Sequence, residues 1–549
     1  MDSYEKSKRK TSRHKKIIKL LNTVYGYDSF KPKQYEIINR IINKEDVCAI
    51  LPTGYGKSLT YQMPALYLGI PAIVISPLIS LMDDQRMILD KLGITSCCYN
   101  SSIPDRSKMR TEIMQGKYQF VYITPEALVK MAVFLQKLED VQGISLIAID
   151  EAHCISSYGF DFRKSYRELT FLKDILPEIP ILAVTATATS MVGTDICKVL
   201  GMNTKTPIMT SFDRPNLFLE ARTKSANIWR DIGTIIEERK NQSIIIYCLT
   251  RKETEKIAEV LKTHNIKCGV YHAGLDVDDK METHNNFIND KIKCIVATIA
   301  FGMGINKSNV RMVIHYGAPK NIEGYYQEIG RAGRDGKAAH CYTFYNMRDF
   351  KIQENFIANS SSQDPNYIKH QMKLLEKMRK YITTKTCRRK LLLEYFDESP
   401  DDTCDNCDNC CHTHDGEKVE TLVKTHQNVQ QEAKLLLDLI ESIKDRSFGL
   451  GMYINIIRGS QNKAISAALT KSKYYGKGKH KSMNWWKELG DNLVTMGYLV
   501  QVHIRGRFMM QVTKVTKKGL MWANMTDLND ILGDTGIQQL GPIQMTNDA

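Results

Sequence analysis

Short apolar runs separated by longer amphipathic stretches occur in two series along this chain. In the first, Val47–Leu51, Ala72–Ser76, Phe120–Ile123, Leu146–Ile149 and Ile181–Thr185 are apolar at successive positions. That is the pattern of strands buried on both faces. Stretches of helical period fill the gaps, as in Ser58–Tyr67, Leu81–Leu92 and Glu126–Leu138. Strands alternating with helices predict a parallel sheet covered on both sides, with ligands collecting at the carboxyl ends of the strands. Residues 206–216, with Pro207 and Pro215, read as a linker. The second series comes after it: strands at Ser243–Tyr247, Cys268–Tyr271, Cys294–Ala297 and Met312–His315, with helices over Thr254–His264 and Lys280–Asn289. The predicted class is therefore α/β, with two tandem parallel-sheet domains.

Beyond residue 350 the pattern changes. Helices are predicted over Ile368–Tyr381 and Cys387–Phe396, followed by a cysteine cluster and a polar linker at 413–423. Helical stretches then cover Asn428–Ser442, Met452–Arg458 and Trp486–Met496. Strands Leu499–Ile504 and Phe508–Val512 flank Arg505-Gly506-Arg507 as a hairpin with a basic tip. Three helices and a hairpin suggest a winged helix. The expected divisions are a basic arm at 1–19, disordered or a solvated helix; a first domain at 20–205; a second at 206–350; a helical metal-binding subdomain at 351–412; a winged-helix domain at 413–525; and a tail at 526–549.

Composition narrows the partners. Of 549 residues, 76 are Lys or Arg and 61 are Asp or Glu, a net charge of +15 that favours a polyanion. An anionic membrane surface is the competing explanation, but no long basic amphipathic helix stands out. Lys6, Lys8, Arg9, Lys10, Arg13, Lys15, Lys16 and Lys19 form a basic tract that suits an import signal, a nucleic-acid arm or a plain solvated terminus. No apolar run reaches membrane-spanning length, and no apolar segment follows the basic start. The expectation is an unsecreted, intracellular protein of the nucleus or cytoplasm, without a membrane partner. Fourteen cysteines scattered through such a length fit a reducing compartment better than a disulfide framework.

The chemistry concentrates in a few stretches. Leu51-Pro-Thr-Gly-Tyr-Gly-Lys-Ser58 follows a strand, and Asp150-Glu-Ala-His153 ends another. A glycine turn can wrap its N–H groups round phosphates while Lys57 reaches the β and γ positions and Ser58 places a hydroxyl on Mg²⁺. Asp150 would hold the same ion and Glu151 would polarise the attacking water. Either motif alone has a bland reading, and Leu51 stands where such loops usually start with glycine. Together, each after an apolar run, they describe one ATP site. Upstream, Tyr27 and Gln34 can stack on a base and read its edge, or simply pack. Arg331 and Arg334 in Gln327-Glu-Ile-Gly-Arg-Ala-Gly-Arg-Asp-Gly336 fall on one face if helical and can meet a γ-phosphate from the other domain. Cys404-Asp-Asn-Cys407-Asp-Asn-Cys410-Cys411 has zinc-ligand spacing, with Cys387 a natural fourth thiolate. Cys411 or His412 can replace one ligand, and an iron–sulfur cluster also fits.

In these motifs, and over Tyr25 to Met521, the chain resembles the RecQ family of superfamily 2 DNA helicases. The resemblance implies two RecA-like domains, a zinc-binding helical subdomain and a winged helix. It implies an adenine-recognising motif at Tyr27, Lys31 and Gln34, with Lys31 where the family has arginine, and a phosphate loop at Thr53, Gly54, Tyr55, Gly56, Lys57 and Ser58, running into Leu59. Ser76–Gln85 and Thr124–Glu126 correspond to segments that hold the DNA backbone. The aromatic-rich loop that couples DNA to hydrolysis corresponds to Ser157, Tyr158, Phe160, Phe162 and Arg163, with Tyr158 replacing the usual tryptophan. Thr185–Thr187 link the ATP site to DNA, while His272, Ala300–Ile305 and Gln327–Arg334 are second-domain motifs with Arg331 and Arg334 as arginine fingers. The zinc ligands become Cys387, Cys404, Cys407 and Cys410. Independently of the resemblance, Lys477, Lys479 and Lys481, set among aromatics, can neutralise phosphates, although Trp485 and Trp486 there can equally anchor a small core; Arg505, Arg507 and Phe508 of the hairpin are further candidate nucleic-acid contacts. The implied function is ATP-, Mg²⁺- and Zn²⁺-dependent 3′–5′ unwinding of forked or recombination-intermediate DNA, by translocation on single strands. An RNA helicase and an ATPase-inactive nucleic-acid scaffold are the alternatives.

Overall fold

A computed structural model describes residues 2–100, 103–159, 161–225, 227–302, 307–360, 364–411, 424–427, 429–443, 445, 448–461, 465–504, 510–524 and 543–546. The chain forms two compact units, Met1–Thr413 and His414–Ala549.

The first unit holds two parallel sheets. Strands β1 (Val47–Ile50), β2 (Ala72–Ile75), β3 (Ser96–Tyr99), β4 (Phe120–Ile123), β5 (Leu146–Ile149), β6 (Ile181–Thr185) and β7 (Ile208–Met209) lie in the order β3-β4-β2-β5-β6-β1-β7. Strands β8 (Leu217–Thr223), β9 (Ser243–Cys248), β10 (Cys268–Tyr271), β11 (Cys294–Ala297), β12 (Val310–Tyr316) and β13 (Ala339–Tyr345) lie in the order β10-β11-β9-β12-β13-β8. The continuous apolar runs have the expected cause. Side chains of neighbouring residues point to opposite faces. Ile50, Ile75, Ile123 and Ile149 therefore join one buried cluster, while Ala49, Val74, Tyr122 and Ala148 join another across the sheet. The second sheet divides in the same way, with Ile245 and Ile295 on one side and Ile246 and Val296 on the other.

Several predicted boundaries need correction. Of the two alternatives for residues 1–19, disorder or a solvated helix, the structure has the helix, which runs from Asp2 to Tyr25. Its C-terminal part is fixed because Ile17 and Leu21 are buried against Ile38, Leu59 and Met63, and a solvated basic face does not oppose helix. The linker at 206–216 is partly strand, since β7 pairs with β1 (Ala49 with Ile208, Ile50 with Met209). The next helix begins at Gln34, after Lys33 turns through a positive φ of 66°. Strands β3, β8 and β13 are absent from the predicted set. Each is weakly apolar: β8 contains the Glu220–Arg222 ion pair, and β13 contains His340 and Thr343.

Helices Met347–Ala358, Pro365–Thr383 and Arg388–Tyr395 complete the first unit and lead to the cysteine cluster. The second unit packs helices Gln430–Ser442, Leu450–Arg458 and Met483–Thr495 with the hairpin Leu499–Ile504 and Met510–Val515. Trp485, Trp486, Leu436 and Ile454 form its core. Residues 526–549 are not wholly a tail, because Ile543–Thr546 pairs antiparallel with Lys424–Gln427.

Candidate active site

The loop after β1 turns on two glycines. Gly54 and Gly56 have φ of +79° and +91°, where a side chain is strained. A Cβ on Gly54 would lie 3.2 Å from Arg334 Cγ, and one on Gly56 would lie 2.8 Å from Gln34 Nε2. The loop enters the helix Lys57–Leu68, which has no side-chain cap. Its first N–H groups and the positive end of its dipole form a ready anion site.

Three further elements close round this loop. β5 delivers Asp150, whose backbone oxygen accepts from the Tyr166 hydroxyl at 2.9 Å. Glu151 comes next at φ +49°, and its N–H donates to Asp150 Oδ1 at 2.9 Å. His153 Nδ1 is 2.8 Å from Thr185 Oγ1 and 3.3 Å from Glu151 Oε2. Arg331 and Arg334 enter from the second domain. Gly330 sits so close to the loop that a Cβ there would be 2.9 Å from Thr53 Cβ. Tyr27, Lys31, Gln34, Thr53–Leu59, Asp150, Glu151, Arg331 and Arg334 all line a single cavity of about 530 Å³.

The electrostatics set a buried acidic pair against buried cations. Burial, and then the neighbouring Glu151, push Asp150 up to about 6. Burial also acts to raise Glu151, but the His153 bond and the charges of Lys57, His153 and Arg331 hold it low. Burial, and then Arg331 and Arg214, lower the pKa of Arg334. Arg331 is 5% exposed and its Nε has no hydrogen-bond partner. Converging buried cations of this kind are relieved by an anionic ligand.

At the Tyr27 end of the cavity, Gln34 donates from Nε2 to Tyr55 O at 2.9 Å, and its Oε1 accepts from Lys31 N at 2.9 Å. Lys31 Nζ donates to Gly54 O at 3.1 Å and sits over the Tyr55 ring. Tyr27 is 57% exposed, its ring parallel to that of Tyr25. Sequence reasoning did not assign Tyr25, Asp84, Gln85, Gly302 or Gln327 to the nucleotide cavity, which they also line. Leu81, Asp84, Gln85 and Ile88 share one helical face toward it, a three-and-four spacing that was available to find them.

The loop after His153 is anchored at both ends. Ser156 Oγ donates to Asp195 at 2.7 Å, and Arg163 Nη1 donates to Pro77 O at 3.1 Å. A Cβ on Gly159 would lie 2.5 Å from His153 O, so the chain folds tightly back on itself. Ser157 and Tyr158 are exposed and Phe162 is half-buried. Tyr158 O accepts from His370 Nε2 at 3.1 Å, while Phe160 lies outside the described residues. Gln327 Nε2 donates to Thr187 Oγ1 at 2.9 Å, tying the arginine segment to the loop after β6. Of the stretch 300–305, residues 303–305 lie outside the described residues.

The Sγ atoms of Cys387, Cys404, Cys407 and Cys410 lie within 4.8 Å of one another, and those of Cys404 and Cys410 are 4.0 Å apart. The S–S edge of a ZnS₄ tetrahedron is about 3.8 Å from a Zn–S bond of ~2.3 Å, so the four thiols fit a closed structural site. Cys411 is not part of this group. In the second unit Lys477 and Lys479 are exposed. Lys481 lies 4.7 Å from the centre of the Trp485 ring. Trp485 and Trp486 are 2% and 0% exposed, which makes them core residues. Arg505, Arg507 and Phe508 lie outside the described residues.

Comparison with known proteins accounts for this arrangement. The DEAD/DEAH box helicase model matches residues 31–194, and the helicase conserved C-terminal domain matches 227–336. RecQ zinc-binding matches 347–411, and the RQC domain matches 424–525. An Acanthamoeba polyphaga mimivirus protein named as an ATP-dependent RNA helicase is 62% identical over 548 residues, covering 99% of each chain. The Bacillus subtilis ATP-dependent DNA helicase RecQ is 38% identical, over 84% of this chain and 77% of its own. The mouse bifunctional 3′-5′ exonuclease/ATP-dependent helicase WRN is 37% identical, over 92% of this chain but 37% of its own. Yeast Dbp5 bound to RNA and ADP BeF3 shares the fold, with a TM-score of 0.50 at 18% identity over 65% of this chain and 97% of its own. These features define an ATP-dependent helicase of the two-domain superfamily 2 type, carrying a winged-helix domain. Within that class, the chain belongs to the RecQ family.

Proposed function

We propose that the chain is an ATP- and Mg²⁺-dependent DNA helicase that translocates 3′ to 5′ on single strands and unwinds forked or recombination-intermediate duplexes. The observation that carries this reading is the single cavity lined by the glycine loop and acidic pair of one domain and by two buried arginines of the other. Lys57, Arg331 and Arg334 neutralise charge growing on the γ-phosphate, and Glu151 orients the attacking water. Ser58 and Asp150 would hold Mg²⁺, which supplies Lewis-acid stabilisation of the phosphates. Tyr27 stacks on the base. Gln34 and Lys31 leave the loop carbonyls they now bond in order to meet it.

Loss of the γ-phosphate removes the charge that holds the arginine domain against the loop, so hydrolysis becomes relative movement of the domains. The Ser157–Arg163 loop adjoins His153 directly. A base stacked on Tyr158 in place of the His370 contact would report DNA to the acidic pair. Cys387, Cys404, Cys407 and Cys410 would hold Zn²⁺ as a structural ion. In the winged unit, Lys477, Lys479, Lys481, Arg505, Arg507 and Phe508 serve as nucleic-acid contacts.

The printed name of the mimivirus relative favours RNA as a second reading. The RQC domain and the relatives named as DNA helicases favour DNA. Unwinding of 3′-tailed DNA, 5′-tailed DNA and 3′-tailed RNA duplexes separates these readings, with Glu151→Ala as control. The expected result is strand separation of the 3′-tailed DNA alone, lost in the control. Separation of RNA but not DNA overturns the substrate, and absence of nucleic-acid-stimulated hydrolysis overturns the motor.

A further inference from the structure

Arg214 lies in the connection between the two sheets, at a position outside every motif of the nucleotide site. Its guanidinium donates to three backbone oxygens. Nη1 reaches Thr53 O of the phosphate loop at 3.3 Å, and Nη2 reaches Ala332 O and Gly333 O, each at 2.9 Å. Residues 332 and 333 are the two between Arg331 and Arg334. One side chain therefore ties the peptide carrying both arginines to the loop that faces them. Lysine cannot do this, because it lacks the planar fork. Asn216 reinforces the grip, donating from Nδ2 to Gly333 O and to Lys337 O, both at 2.9 Å.

The backbone of Arg214 is itself clamped from the cysteine-rich side. Arg389, two residues after Cys387, donates from Nη1 to Arg214 O at 2.8 Å and to Asp213 Oδ1 at 2.6 Å. Asn406, beside Cys407, donates to Pro215 O at 2.6 Å, and Phe212 stacks on Phe396 at 4.1 Å. A continuous path of direct contacts thus runs from the cysteine cluster through the connection to the phosphate loop and the arginines.

We infer that Arg214 is a positioning residue for hydrolysis, setting the placement of Arg331 and Arg334 against the phosphate loop, and that the zinc subdomain holds Arg214 in place through Arg389 and Asn406. The inference rests on the ATP-site reading of the cavity. Arg214 is not among the residues that line the cavity. Its removal should leave nucleotide binding by the first domain intact while loosening groups that matter only when charge develops on the γ-phosphate.

The test is DNA-stimulated hydrolysis by full-length Arg214→Gln and Arg214→Lys, with zinc content, melting temperature and fluorescent-ADP stoichiometry measured on the same samples. Both variants should lose about 30-fold in kcat with KM for ATP changed less than ~3-fold, at wild-type zinc content and nucleotide stoichiometry. Asn406→Ala should shift kcat in the same direction by ~3-fold. A folded, zinc-loaded Arg214→Gln with kcat within ~2-fold of wild type overturns the inference. So does a loss of kcat that merely tracks a lost nucleotide-binding fraction, since that marks a structural role. If Arg214→Gln does not fold, Arg214→Lys, which keeps the charge and the stem, decides by the same criteria. A wild-type chain that hydrolyses no ATP with any nucleic acid instead overturns the ATP-site reading itself.

Discussion

The two parallel-sheet domains share an architecture but not a chemistry, and the difference lies in one strand-to-helix loop of each, after β1 in the first and after β9 in the second. After β1 the chain makes the Gly54 and Gly56 turns and starts its helix uncapped, leaving N–H groups for an external anion. After β9 the chain passes through Leu249 and Thr250, and Thr250 Oγ1 caps the next helix by accepting from Glu253 N at 3.1 Å. The second domain thus meets part of its own helix end with a side chain, where the first leaves that end to an external anion. It contributes cations instead, from the turn after the helix Ile322–Ile329. A shared fold places loops at the carboxyl ends of strands, and the loop chemistry decides which domain binds and which one answers.

The largest predicted effect tests this asymmetry at its centre. Glu151→Gln should lower kcat for ATP by roughly 10³-fold or more with little change in nucleotide affinity, as measured by steady-state hydrolysis beside fluorescent-nucleotide binding. Arg334→Ala, on the other domain, should lose about 10²-fold in kcat. Equal affinity loss in both variants would mean that the second domain helps to bind nucleotide rather than to stabilise developing charge.

Much of this asymmetry was legible in the sequence, because phosphate loops and strand-end carboxylates are local. Lys57, Asp150 and Glu151 each come after an apolar run, and the cavity collects them as their spacing implied. The arginines were legible as a motif, but their burial was not. The role inferred for Arg214 was invisible, because an arginine in a proline-containing connection reads as solvated until its three carbonyl partners are seen. The basic terminus left disorder and a solvated helix both open for a related reason: the two apolar anchors that fix the helix, Ile17 and Leu21, are only four residues apart.

Zinc removal probes how far the comparison extends beyond the sheets. Asp408 Oδ2 accepts from Ala221 N of β8 at 3.0 Å, and Cys407 bridges to Leu219. The four-cysteine cluster is thus an annex of the second domain. Strong chelation, or Cys404→Ser, should lower the melting temperature by several degrees, from a structural ion's contribution of a few kcal/mol or more. Nucleotide affinity of the folded fraction should change less than ~3-fold, because the loop belongs to the other sheet. A smaller effect sharpens the same contrast. Thr250→Ala should cost about 1 kcal/mol in urea unfolding and leave KM for ATP unchanged, because its cap serves only the second domain's own helix.

Glu151 carries a final consequence for how such a chain drifts over evolutionary time. Seven non-glycine residues among those described have positive φ, and six of them are exposed, at turns and helix ends; Glu151 alone is not. A left-handed backbone costs about 1 kcal/mol for most side chains and less for asparagine. Here the same residue also crowds a second carboxylate, Asp150. Natural selection for hydrolysis and for a stable fold therefore pull in opposite directions at this one position. Two variants that both abolish hydrolysis should differ in thermal scanning, with Glu151→Asn melting above Glu151→Gln, and equal melting would show that the turn carries no strain. A lineage released from the need to hydrolyse ATP would be expected to lose this glutamate early, gaining stability as it fell silent.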